Sequence, residues 1–116
     1  MIHKMGLFEE YYTSVKEGKK IVEVRLNDEK RRRIKLGDKI KFIKLPEENE
    51  IIYVEVLELI KYDTFKAMYE DIPFQQFDCE GWRMEDMLKG TYQIYTSEQE
   101  NKWGTLAIKM KVLNDC

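Results

Sequence analysis

The sequence predicts an α+β fold in which a small closed β-sheet is flanked by short helices. Three observations carry this. Residues 21–26, 39–45, 51–62 and 105–113 alternate in polarity or are rich in β-branched and aromatic side chains, as strands are. The helical runs between them are short, and each has one apolar face. No linker and no internal repeat divides the 116 residues, so a single domain over 1–116 is expected. Few strands with long alternation favour closure, because closure removes exposed sheet edges.

Each element has its own signal. Phe8, Tyr11, Tyr12 and Val15 recur at i, i+3, i+4 and i+7, predicting a helix over 7–17 that ends at Gly18. Residues 21–26 place Val22, Val24 and Leu26 on one face, and Ile21, Glu23 and Arg25 on the other, as in a half-buried strand. Leu36, Gly37 and Asp38 turn the chain into a strand over 39–45, which Pro46 and the polar loop 47–50 end. The run 51–62 is long enough to need a bend or bulge in a closed sheet. Asp63 or Thr64 caps a short helix with Phe65, Met68, Tyr69 and Ile72 on its apolar face, and Pro73 follows it. Residues 72–83 lack periodicity and read as an exposed loop. Met84, Met87 and Leu88 mark another short helix, closed near Gly90. Ser97 and Glu100 fit a capping box for a helix that stops before Gly104. The last strand, 105–113, turns Leu106, Ile108, Met110 and Val112 inward and Lys109 and Lys111 outward.

Composition narrows the function classes. Hydrophobic residues make up 43% and charged residues 36%, a globular core under a heavily solvated surface. No apolar run approaches the ~20 residues needed to cross a bilayer. The first six residues lack the apolar stretch of a secretory signal. A cytoplasmic protein without membrane contact is expected. Cys79 and Cys116 are far apart and His3 is the only histidine, so no metal-ligand spacing exists. No metal and no other cofactor is expected, and both thiols are expected to be reduced. Residues 1–45 hold 13 Lys and Arg against 7 Asp and Glu, whereas residues 46–116 hold 7 against 15. If those parts segregate, one face is basic and the other acidic.

The segment 18–38 carries the most functional information. It reads as a glycine turn, a strand with Glu23 and Arg25 on one face, a cationic loop and a second glycine turn. Such a surface suits an anionic, hydrogen-bonding ligand, with RNA or a nucleotide as the leading partner. Lys20, at the end of the first turn, can hold a phosphate as a point charge, or serve as a base if burial lowers its pKa. Glu23 and Arg25 can pair with each other, or offer an acceptor and a fork of donors to a base edge. Lys30, Arg31, Arg32, Arg33 and Lys35 are five cations in six residues, suited to phosphate contacts. Trp82 can stack on a base. Tyr92, Tyr95 and Trp103 read as core or capping residues, and Met84 and Met87 as core.

These residues resemble the ASCH domain family, a branch of the PUA-like superfamily. The likeness rests on Gly18-Lys19-Lys20, Glu23-Val24-Arg25, Asp28-Glu29-Lys30-Arg31 and Ile34-Lys35-Leu36-Gly37-Asp38. It continues through Met68-Tyr69-Glu70-Asp71-Ile72-Pro73 and residues 97–103. The resemblance implies a small PUA-like closed β-barrel flanked by short helices. It also implies a cleft beside the Gly-Lys turn that receives RNA or a nucleotide. Family members have been linked to RNA binding, transcription coactivation, ribonuclease activity and hydrolysis of acetylated cytidine, so function does not follow from fold alone. In the amidohydrolase branch the lysine matching Lys20 is catalytic, and a threonine nucleophile follows three residues later. Here that position is Glu23, and Ile21 follows the lysine, so the same acyl intermediate has no nucleophile. Glu80 falls near that branch's acidic catalytic residue.

The expectation is thus an RNA- or nucleotide-binding module. Its contacts are Lys19, Lys20, Glu23, Arg25, Lys30, Arg31, Arg32, Arg33 and Trp82. An alternative is a small hydrolase of a modified nucleoside such as N4-acetylcytidine, or a ribonuclease, with Lys20, Glu23 and Glu80 as its acid–base groups. A further alternative is a coactivator-type module whose acidic second half contacts a protein partner. The first two readings require Lys20, Glu23 and Arg25 to line one hollow.

Overall fold

The structure is a computed structural model, and it describes residues 1–113. Cys116, expected as a reduced thiol, lies outside the described residues. Among the described residues the chain forms five strands and four helices. The strands are β1 (Ile2–Phe8), β2 (Val22–Leu26), β3 (Lys39–Leu45), β4 (Ile51–Tyr62) and β5 (Thr105–Val112). The helices are α1 (Glu9–Lys16), α2 (Phe65–Asp71), α3 (Met84–Thr91) and α4 (Ser97–Trp103). Short 3-10 turns occupy Arg31–Arg33 and Phe74–Phe77. The strands form one curled sheet in the order β1-β3-β4-β5-β2. Among the described residues only the β1–β3 pair is parallel; β3–β4, β4–β5 and β5–β2 are antiparallel. The long strand β4 bends where expected, through a register shift between Val56 and Glu58.

Two apolar layers follow from this curl. Met5, Leu7, Ile40, Phe42, Val54 and Ile108 fill the inside, with Tyr12 and Val15 of α1 across one end. The outer face of β2 and β5 offers Val22, Leu26 and Ala107 to a second layer built by Phe65, Met68, Tyr69, Phe77 and Met87. The basic first part and the acidic remainder of the chain share one sheet, because β3 pairs with β4 and β2 with β5. The two charge-biased segments are therefore interleaved rather than stacked as separate halves.

Several local expectations need correction. Helix α1 starts at Glu9, because Ile2–Phe8 is a strand that the sequence reading missed. Within it His3, Met5 and Leu7 alternate inward, but lysine and glycine between them weaken the pattern. Strand β2 is covered on both faces: Val22 packs under the helices, and Glu23 is 3% exposed. The segment 72–83 is not simply an exposed loop, since Ile72 and Phe77 are buried. Helix α3 closes near Gly90 as expected, ending at Thr91 with Tyr92 as a right-handed cap.

The box at α4 is shifted by one residue. Thr96 Oγ1 accepts from the Gln99 N–H at 3.1 Å, and the Gln99 side chain accepts from the Thr96 N–H at 2.9 Å. Glu100 is instead buried. It accepts from the Phe65 N–H at the start of α2 and from the Tyr92 hydroxyl, both at 2.7 Å. Thr64 caps α2, accepting from the Ala67 N–H at 3.0 Å. Urea denaturation will separate the two capping schemes: Thr96→Ala costs about 1 kcal/mol, whereas Ser97→Ala changes stability by less than about 0.5 kcal/mol.

Candidate functional site

The site begins where α1 ends. Gly18 takes φ +77°, a conformation that favours glycine. The N–H groups of Lys19 and Lys20 then both donate to the Ser14 carbonyl, at 2.9 and 3.0 Å. The chain doubles back into β2 with Lys20 at the corner. Glu23 and Arg25 stand opposite Ile108 and Leu106 of β5, so both share the inward face of the sheet.

A buried carboxylate ties these groups together. Glu23 Oε1 lies 3.1 Å from Lys20 Nζ, and Oε2 accepts from Arg25 Nε at 3.1 Å and Nη2 at 2.8 Å. The Val24 N–H donates to Oε1 at 3.1 Å. Arg25 Nη2 also donates to the Gly6 carbonyl of β1, at 2.9 Å. Strands β1 and β2 are the two ends of the sheet, so this guanidinium bridges its seam. Burial alone would raise the Glu23 pKa. Lys20 and Arg25 outweigh it and hold the carboxyl at about 2. Burial likewise opposes charge on Arg25, and Glu23 more than restores it, leaving its pKa raised.

Above the cluster opens a cavity of about 210 Å³, floored by Lys20, Glu23 and Arg25 and walled by Tyr11, Tyr69 and Tyr95. That is below the ~300–1,000 Å³ of drug-sized sites, so the cavity fits one small flat group. Its exposed rim includes Phe8 (59%), Ile94 (59%) and Trp82 (51%). Lys20 Nζ sits 4.7 Å from the centre of the Tyr11 ring, a cation–π contact. Tyr95 stacks on Phe65 with ring centres 5.4 Å apart. The Thr91 hydroxyl donates to the Met87 carbonyl at 2.8 Å, so the Tyr69 hydroxyl, 2.7 Å away, is the donor to Thr91. Burial pushes the Tyr69 phenol up to about 12, keeping it protonated. Arg25 Nη1 has no hydrogen-bond partner among the described residues.

The sequence-predicted residues divide into two sets. Lys20, Glu23, Arg25 and Trp82 line the cavity. Lys19 does not; it is exposed and pairs with Glu17 at 3.3 Å. Glu80 is exposed and off the cavity wall. The basic turn lies outside as well. Arg31 pairs with Asp28 at 3.0 Å, and Arg32 Nε donates to the Asn27 carbonyl at 2.7 Å while its guanidinium lies over Trp103. Lys30 and Arg33 are exposed. The pKa of Lys30 is lowered, first by desolvation and then by repulsion from Arg31 and Arg25.

Sequence reasoning missed Tyr11, Tyr69, Cys79, Thr91 and Tyr95 as lining residues. Tyr11 and Tyr12 share one helical pattern, yet Tyr12 enters the core and Tyr11 the cavity. Burial raises the Cys79 thiol pKa, so the thiol stays protonated at neutral pH. The loop that carries it is tied to α1 by a 2.7 Å hydrogen bond from Ser14 to Asp78, which holds a left-handed φ of +60°. No group of His, Cys, Asp and Glu suited to a metal ion occurs among the described residues, and no helix among them is long and apolar enough to cross a membrane.

The carboxylate has a distinct acid signature. With a folded pKa near 2 against an ordinary 4.5, its contribution is fully present above pH 4.5 and fades as pH falls toward 2. Replacing it leaves Lys20 and Arg25 buried without their counter-charge, so Glu23→Gln costs about 3 kcal/mol near neutral pH. Urea titrations of both proteins should show that gap narrowing as acid protonates the wild-type carboxylate.

Comparison with known proteins agrees with this architecture. The ASCH domain family matches residues 5–114. The crystal structure of hypothetical protein PH0355 is 37% identical, with a TM-score of 0.86 over 97% of this chain and 100% of that one. Protein PF0455 from Pyrococcus furiosus, solved by NMR, is 34% identical, with a TM-score of 0.79 over 99% of this chain and 100% of that one. ASCH from Zymomonas mobilis, at 15% identity and a TM-score of 0.56, covers 95% of this chain and 66% of that one, a likeness of fold. No curated protein matches the sequence. A family match over nearly the whole chain, on the curled PUA-like sheet described above, establishes that the chain belongs to the ASCH domain family.

Proposed function

We propose that this domain binds RNA or a nucleotide, taking one base into the cavity with the adjoining phosphate near Lys20 and Arg25. The observation that carries the reading is the buried Lys20–Glu23–Arg25 cluster at the floor of an aromatic-walled hollow. A nucleobase has a flat π face and an edge of alternating donors and acceptors. Tyr11, Tyr95 and Trp82 suit the face and Arg25 Nη1 suits the edge, while Lys20 suits the phosphate. Two cations against one carboxylate leave the floor net positive, which favours an anionic ligand over a neutral or cationic one.

The hydrolase alternative draws less support. A carboxyl held at about 2 is a weak proton acceptor near neutral pH, and both Glu23 oxygens are engaged by Lys20, Arg25 and the Val24 N–H. Glu80 is too far out on the surface to line the same space.

Fluorescence anisotropy with a labelled single-stranded RNA tests the binding reading. Log affinity should fall with log salt, with a slope of about −0.7 per phosphate contacted. Lys20→Gln should weaken binding about tenfold, or ~1.4 kcal/mol, and Trp82→Ala should cost ~1–3 kcal/mol if it stacks. Affinity indifferent to both salt and Lys20 would exclude the proposal. Incubation with N4-acetylcytidine should yield no deacetylated product. Product that disappears in Lys20→Gln would put a hydrolase in its place.

A further inference from the structure

The charged side chains on the cavity floor offer donors and no acceptor. A carboxylate has about four lone-pair positions, and those of Glu23 are taken from within the protein. Oε1 accepts from the Val24 N–H and faces Lys20 Nζ, both at 3.1 Å. Oε2 accepts from Arg25 Nε at 3.1 Å and from Nη2 at 2.8 Å. Glu23 is buried beneath these partners. It fixes the charge of the floor but has no oxygen lone pair left for a ligand.

Arg25 keeps donors in reserve. Nε is spent on Glu23, and Nη2 is shared between Glu23 and the Gly6 carbonyl. Nη1 makes no hydrogen bond among the described residues, and it is not sealed off. The enclosed side-chain atoms among those residues that lack a partner are Asn27 Oδ1, Arg31 Nε and Gln76 Oε1. Nη1 is thus reached from the cavity that Arg25 lines. A guanidinium keeps all its protons and has no acceptor, and an ammonium such as that of Lys20 has none either. The phenol hydroxyls of Tyr11 and Tyr95 stand on the walls and can turn to give or accept, so selection by hydrogen bonding falls to the floor.

We infer that the site selects its base by an oxo group, taking uracil and guanine over cytosine and adenine, and that Arg25 Nη1 is the selecting group. This rests on the reading of the cavity as a base site. With the phosphate at Lys20, the edge that meets Arg25 is the one remote from the glycosidic bond. In uracil and guanine that edge carries a carbonyl oxygen, O4 or O6. In cytosine and adenine the same place holds an amino group. The carbonyl accepts from Nη1. The amino group sets N–H against N–H, and both lose water without gaining a partner. A site built to bond one polar group rejects an analogue that cannot complete the bond more strongly than shape alone does.

Calorimetric titration with nucleoside 5′-monophosphates tests this on an unchanged protein. The uridine compound should bind about tenfold tighter than the cytidine compound, and guanosine about tenfold tighter than adenosine. The inosine compound keeps O6 and lacks the 2-amino group, and it should match guanosine within about twofold. The 2-pyrimidinone compound has neither group at C4 and should lose most of uridine's advantage. Arg25→Lys keeps the charge and removes Nη1. It should shrink the uridine-to-cytidine ratio to less than about threefold, whereas a merely loosened fold would weaken both nucleotides and keep the ratio. Equal affinity for all four bases, or a preference for the amino pair, overturns the inference. The base-site reading survives that outcome if Lys20→Gln weakens all four. A full ratio retained in Arg25→Lys also overturns it, because selection then lies in another residue. Binding of none of the monophosphates overturns it as well, and the base-site reading then stands or falls with the labelled RNA.

Discussion

The Glu23 carboxylate is the interaction on which the rest depends. A curled sheet of five strands has two free ends, and here those ends approach each other without a ladder of backbone hydrogen bonds. Side chains do that work. Glu23 accepts from the Val24 N–H of its own edge strand, and Arg25, held by Glu23, donates to the Gly6 carbonyl of the other edge. Unpaired edge groups are thereby satisfied where a barrel would have used another strand. Lys20 supplies the second counter-charge, and its position follows from the Gly18 turn.

Closing a seam with charges rather than with a ladder has a consequence. Backbone pairing would bring the edges to about 4.8 Å and leave no room between them. The side-chain closure leaves a hollow on the floor made by the charges. Taking three ionic groups out of water is expensive, and an apolar seam of equal volume would be at least as stable. The cluster closes the seam and also leaves its cations on the floor of the hollow. Its donors are pre-oriented by one another, so a ligand entering the cavity meets groups that need little further ordering.

Much of this was legible in the residues. The strands β2 to β5, the bulge in β4 and the apolar face of α2 follow from local periodicity, which is a property of a few consecutive side chains. The corner lysine and the Glu-x-Arg face were visible for the same reason. What escaped the sequence is tertiary. Strand β1 carries only three inward residues, one of them a histidine, and it becomes a strand by pairing in parallel with β3. Glu23 looked half exposed because a strand's pattern shows its own faces and not the strand end that closes over it. Tyr11, Tyr69 and Tyr95 come from three separate segments, and no spacing rule connects them. Ser97 was mistaken for the α4 cap because Ser-x-x-Glu and Thr-x-x-Gln overlap by one residue, and only the hydrogen bonds choose between them.

Three departures from the best local choice lie around one place. The charge cluster lies at the cavity floor, the left-handed Asp78 adjoins its wall at Cys79, and the helical Gly90 lines it. A fourth lies apart, at Glu48 between β3 and β4, which also takes a left-handed φ of +57°. A folding requirement would place a compensating contact beside each departure, as Leu45 sits against Gly6. Glu23 and Asp78 have such contacts within the protein, through Arg25 and Ser14. Gly90 has none. The seam and its loop can therefore be explained as parts of a fold that must close, and the charges that close it are the same groups that floor the hollow.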